Sequence, residues 1–169
     1  MPRQKHAKKP VPLAPNTAFL LSQVGGHSAE VFANLLAPLD LASPHAGIIW
    51  MLNRSPGISQ QDLADVLKVH PSRLVALLDE LEHRRYIDRR GSESDRRLYA
   101  LHLTPEGERM FGEIRSLADE HQRLICAPLT PAECDQLADL LRRIAVHRKL
   151  TPSVHPGYRW LGRKIRSSN

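Results

Sequence analysis

The sequence predicts a mainly α fold with a small β wing. Apolar residues recur every three or four positions over most of the chain, whereas an alternating apolar and polar period is confined to a short stretch near residue 100. Prolines or glycines at 55–57, 71, 105 and 131 fall where the helical pattern stops or restarts. At 169 residues and 41% hydrophobic, the chain can bury one core, or a small domain with a helical appendage. Aromatics make up only 5%, so that core is built of Leu, Ile, Val and Ala.

Six helices and one hairpin are expected between residues 16 and 148. Asn16 caps a first helix running to about Leu36, with Leu20, Val24, Val31 and Leu35 along one stripe and Gly25-Gly26 as a weak point. Ser43-Pro44 opens a second, over His45 to Asn53, which Ser55-Pro56-Gly57 stops. Ser59 with Asp62 has the look of an N-terminal cap for a third helix. Leu63, Leu67, Val69, Leu74 and Leu77 then follow the burial pattern of two helices crossing at a short turn, with the small Ala64 at their closest approach. The fourth helix, Pro71 to about Arg84, buries Leu74, Leu77, Leu78 and Leu81 and turns Ser72, Arg73 and Ala76 outward. Tyr86-Ile87 and residues 98–103 read as two strands around a small polar loop. Thr104-Pro105-Glu106 caps a fifth helix with Met110, Ile114, Leu117, His121 and Leu124 on one face. Thr130-Pro131-Ala132-Glu133 boxes a sixth carrying Leu137, Leu140, Leu141 and Ile144.

The net charge of +6 is unevenly placed. Residues 1–9 and 142–169 hold twelve of the 24 basic residues and no acid, so the remaining twelve face all 18 acids and the middle carries −6. Residues 1–15 read as a disordered basic arm. Residues 149–169 read as a basic tail whose Tyr158, Trp160 and Leu161 are candidates for docking. Since the basicity lies in the ends, the isoelectric point alone is a poor argument for nucleic acid. The local charge of the hairpin is a better one.

Two helices crossing at a short turn place the second in a DNA major groove, first turn nearest the bases. Arg73 can fork onto guanine, Ser72 can reach a phosphate or base edge, and Ala76 can sit against a thymine methyl. Arg89, Arg90, Arg96 and Arg97 cluster on the hairpin that follows, a shape suited to a phosphate backbone and a narrow minor groove. Asp95 beside two arginines is placed to hold the loop by pairing with one of them. Taken together these elements form a winged helix-turn-helix domain, with a helical dimerisation region on either side.

The run from the third helix to Gly107 resembles the multiple-antibiotic-resistance regulator (MarR) family of winged-helix transcription factors. The residues that carry the resemblance are Asp95-Arg96-Arg97 and Leu103-Thr104-Pro105-Glu106-Gly107, which match that family's Asp-x-Arg wing turn and Leu-Thr-x-x-Gly. The resemblance implies a homodimer whose terminal helices interlock, meeting a pseudopalindromic double-stranded operator and usually repressing transcription. It assigns Arg97 to the minor groove, Asp95 to its support, and Ser72, Arg73 and Ala76 to the major groove. One departure is visible. Where the family commonly has Gly after the recognition helix, this chain has Arg85, which puts a left-handed helix end there in question.

The pairing also has a physical argument. A winged domain needs only about residues 43–104, and apolar stripes on the first, fifth and sixth helices exceed what so small a core can cover. Family resemblance further implies a small aromatic effector in a pocket between the winged domain and the dimer helices, for which His27, Phe32, His45 and Trp50 are the candidate lining.

Other classes find little support. His27, Glu30, His45 and His121 include no i, i+4 histidine pair, so no metal or other cofactor is expected. Cys126 and Cys134 lie on separate helices without CxxC spacing and read as packing residues in a reducing cytoplasm. There is no Gly-rich phosphate loop or nucleophile elbow, and catalysis is not expected. No apolar run approaches the roughly 18 residues of a membrane span.

Overall fold

In the computed structural model, which describes residues 16–91, 99–155 and 158, local capping signals set most helix starts. Helix α1 (Thr17–Leu36) begins where the Asn16 side chain accepts from Ala18 N–H at 2.9 Å. It runs unbroken through Gly25 and Gly26, so the expected weak point does not interrupt it. A short 3-10 turn (Ala37–Leu39) leads to α2 (Ser43–Arg54). Helix α3 (Gln60–Leu67) starts at Ser59, which accepts from Asp62 N–H at 3.0 Å and donates to its carboxylate at 2.7 Å. Helix α4 (Pro71–His83) has proline in its first turn. Helices α5 (Pro105–Ile125) and α6 (Pro131–His147) start at Thr104 and Thr130, and Glu133 closes a reciprocal capping box with Thr130.

Three antiparallel strands, in the order β1-β3-β2, flank this helical set: β1 (Ile58–Ser59), β2 (Ile87–Gly91) and β3 (Tyr99–Leu103). Strand β1 was not legible in the sequence. It is two residues long and exists through pairing with β3, Ile58 opposite Leu101 and Ser59 opposite Ala100. Strand β2 is longer than expected and carries Arg89 and Arg90 within it.

The buried core, Leu36, Leu41, Ile48, Ile49, Leu52, Leu63, Leu67, Leu74, Leu78, Leu81, Ile87 and Leu101 among others, lies where α2, α3, α4 and the sheet meet, with Ile114 of α5 against it. Ala64 is buried as well, consistent with a close α3–α4 approach. The outer helices contrast with this. Helix α6 buries none of its residues, and α1 buries only Leu36. Eleven large apolar side chains stand exposed on α1, the end of α5, α6 and just beyond: Phe19, Leu20, Leu21, Val24, Leu124, Leu137, Leu140, Leu141, Ile144, Val146 and Leu150. Apolar patches of this extent are unusual on monomers and mark interfaces.

Candidate nucleic-acid interface and effector cavity

The first turn of α4 faces away from the core. Leu74, Leu78 and Leu81 are buried, which rotates Ser72 and Ala76 to the exposed side and leaves Arg73 half-buried between. His70 ends the α3–α4 turn without capping α4 through its side chain, and its ring lies 2.8 Å from Ser72 Oγ. The partial positive charge of that helix end is therefore open to an anion.

The hairpin divides its arginines by face. Side chains alternate along a strand, so Arg89 shares the inner face with buried Ile87 and stands opposite buried Leu101. It turns inward onto α4, pairing with Asp79 and lying 3.3 Å from Glu82, with its side chain only 22% exposed. The sequence grouped Arg89 with the DNA-contacting arginines; here its side chain joins the wing to α4. Arg90 is on the outer face, exposed, and pairs with Asp88 two residues back at 3.0 Å. Asp95, Arg96 and Arg97 fall outside the described residues.

Between α1, α2 and α5 lies a cavity of about 390 Å³, within the range of small-molecule sites. Phe32 and Trp50 line it. His27 is exposed and does not, and His45 does not either. His45 is buried at the start of α2, where Nδ1 accepts from Ala42 N–H at 3.4 Å and Nε2 lies 2.9 Å from Glu80 of α4, off the line of a hydrogen bond. Burial lowers its pKa below the ordinary 6.5, against the opposing pull of Glu80. It faces the recognition helix from the start of α2. The cavity instead holds His121, 3.0 Å from Ser28 Oγ and 5.2 Å from the Phe32 ring, and beside it the Trp50 and Phe111 rings meet edge-on at 5.2 Å. Tyr158 also lines it, from beyond α6. The sequence did offer a signal for His121: it is the polar member of the α5 apolar stripe.

Cys134 and Cys126 are neighbours across the α5–α6 turn, and desolvation with the adjacent thiol pushes the Cys134 thiol up, which disfavours the reactive thiolate. Among the described residues no group of three or more His, Cys, Asp or Glu is placed to hold a metal. No single helix among them is long and apolar enough to cross a membrane.

Residues 39–98, from the 3-10 turn into the wing, match the MarR family model. The fold matches too: wild-type MarR from E. coli in its apo form superposes with a TM-score of 0.70 at 21% identity, covering 78% of this chain and 98% of that one. Over residues 39–98 the chain is similar to the MarR family. Among curated relatives, it is 33% identical over 107 residues to a Thauera aromatica protein whose name provisionally assigns it regulation of the hcr operon, covering 63% of this chain and 64% of that one. It is 30% identical over 93 residues to the HTH-type transcriptional regulator BilQ of Clostridium symbiosum, covering 55% and 65%. The matches thus span slightly under two thirds of these relatives' length. The transcriptional repressor CouR, solved bound to a 23-mer DNA duplex, superposes with a TM-score of 0.70 at 29% identity, covering 77% of this chain and 92% of that one.

In this chain the Leu-Thr-x-x-Gly residues build the corner where the wing, α4 and α5 meet. Thr104 Oγ1 accepts from Gly107 N–H at 3.0 Å and donates to the Arg85 carbonyl, while Thr104 N–H donates to the Tyr86 carbonyl at 3.0 Å. A Cβ on Gly107 would lie 1.9 Å from that same Tyr86 oxygen, so only glycine permits the approach. Arg85 resolves the departure noted in the sequence. It is left-handed, φ 60°, and Arg85 N–H to Glu82 and Tyr86 N–H to Leu81, at 2.8 and 2.9 Å, form a Schellman end without glycine. The left-handed cap that Arg85 put in question is present: the tertiary corner imposes it on an arginine.

Proposed function

We propose that this chain is a sequence-specific DNA-binding transcriptional regulator of the cytoplasm, not an enzyme, acting as a homodimer and repressing its operator until a small aromatic effector binds. The observation that carries this is the outward side of the first turn of α4, with Ser72 and Ala76 exposed and Arg73 half-buried, standing beside a hairpin that Arg89 clamps to the same helix. That coupling makes helix and wing one rigid reading head, with Arg97 assigned to the minor groove. The unpartnered apolar stripes of α1, α5 and α6 supply the surface for a second copy, which symmetric DNA requires. The 29% identity to a repressor solved on duplex DNA supports the same reading. Residues 43–104 form the DNA-reading unit and the flanking helices the dimerisation region.

The test is selection from random duplexes, followed by fluorescence anisotropy at fixed salt. Two related half-sites about one helical turn apart are expected, with a preference that survives deletion of residues 1–12 while salt-dependent affinity drops. Absence of any enriched sequence refutes the regulator reading.

A further inference from the structure

The chain does not leave the molecule after α6. It returns to α2 and the cavity: Arg54 Nη1 donates to Ser153 Oγ at 2.9 Å, Val154 packs against the core, and Tyr158 is only 6% exposed. The Tyr158 hydroxyl donates to the Pro44 carbonyl at 2.7 Å. Its ring lies on α2 at Gly47, where a Cβ would stand 1.9 Å from Oη and 3.0 Å from Cζ. A glycine in mid-helix disfavours the helix. Here it has a steric role: a Cβ at Gly47 would occupy the slot that the Tyr158 phenol fills.

The slot has a definite chemistry. Its acceptor is a carbonyl oxygen, which rewards a neutral hydroxyl donor and repels a carboxylate. Burial pushes the Tyr158 hydroxyl far above the ordinary phenol range, so the resident group stays a donor. Beside it lies the cavity of about 390 Å³ with Phe32, Trp50, His121 and Ser28, room for a ring substituent and polar partners for it.

We propose that this slot is a phenol-binding site whose resident occupant is the chain's own Tyr158, and that free phenols compete with the C-terminal segment for it. The inference rests on the effector reading of the cavity and gives that cavity a ligand class and an intramolecular competitor. Its consequence for DNA follows from position. Pro44, which holds the hydroxyl, precedes His45, whose ring lies 2.9 Å from Glu80 of the recognition helix.

The experiment uses 4-methylphenol, the tyrosine side chain as a free molecule, in calorimetric titration of the full chain. Tyr158→Ala is expected to bind it about tenfold more tightly than the parent, because the docked segment no longer reduces the binding-competent fraction. Toluene, lacking the donor, is expected to bind about tenfold more weakly than 4-methylphenol to the same variant, as a lost hydrogen bond predicts. Adding Gly47→Ala should abolish that binding. Should Tyr158→Ala not fold, Tyr158→Phe keeps the ring and removes the hydrogen bond, and a smaller gain is expected. Equal affinity of parent and variant, or no preference over toluene, overturns the proposal. Operator affinity is measured separately on the same proteins, so a chain that behaves this way toward 4-methylphenol yet binds no operator refutes only the regulator reading.

Discussion

Replacing Gly107 by alanine tests whether the corner holding the wing is as tight as the structure makes it. The new Cβ would stand 1.9 Å from the Tyr86 oxygen, 2.9 Å from its carbonyl carbon and 3.3 Å from Leu103 Cδ2. Relieving the first contact means withdrawing backbone by more than about 1 Å, since overpacked groups in a dense interior have no slack. That withdrawal pulls on the Thr104 hydrogen bonds to Arg85 and Tyr86. Overpacking costs about 1–3 kcal/mol and a lost hydrogen bond about 1 kcal/mol, against about 1 kcal/mol gained from alanine's helix propensity. The net is a loss of about 1–3 kcal/mol, read as a lower urea midpoint at fixed protein concentration. Gly112, in the same helix with nothing within 4 Å of its would-be Cβ, is the control: its alanine variant should gain up to about 1 kcal/mol. Operator affinity should fall for Gly107→Ala and hold for Gly112→Ala. A Gly107→Ala protein as stable as its parent would refute the close approach.

Arg85→Gly should raise stability by about 0.5–1 kcal/mol, because the left-handed φ of 60° no longer opposes a side chain; a fall in urea midpoint counts against the Schellman geometry. Arg89→Ala, which removes a partner from two partly exposed carboxylates, should cost about 1 kcal/mol of stability while leaving the salt slope of DNA binding unchanged. A slope reduced by about one unit would instead place Arg89 on a phosphate. His45 is held neutral by burial, facing Glu80, Arg84 and Asp40, with its folded pKa below 6.5. The unfolded chain therefore binds the extra proton, and stability is full above about pH 6.5 and declines as pH falls through the folded value. His45→Gln should flatten that acid limb of a melting-temperature profile, and an unchanged limb would assign it to other groups. Arg97→Ala should weaken operator binding by about 1–3 kcal/mol with unaltered melting, and an unchanged dissociation constant at fixed salt would remove the wing assignment.

The helix starts were legible because capping is local. Asn16, Ser59, Thr104 and Thr130 each satisfy N–H groups two or three residues ahead, and their signatures lie within four consecutive letters. The MarR-like run 95–107 was legible for the same reason. What the letters could not say is which face of each element meets another. Strand parity did contain the answer for Arg89, since Ile87 must point inward and Arg89 lies two residues on.

From the sequence alone came the order of the six helices and the hairpin, the winged domain, the apolar stripes in search of a partner, and the outward first turn of α4, because all of these depend on periodicity and on neighbours a few residues apart. Tertiary structure alone decided that Arg89 clasps the recognition helix, that His45 faces Glu80 rather than the cavity, that Arg85 bends left-handed, and that Tyr158 reaches Pro44 and Gly47 across more than a hundred residues. Those outcomes depend on close contacts between distant segments, and such contacts are set by packing in three dimensions, where no local pattern records them.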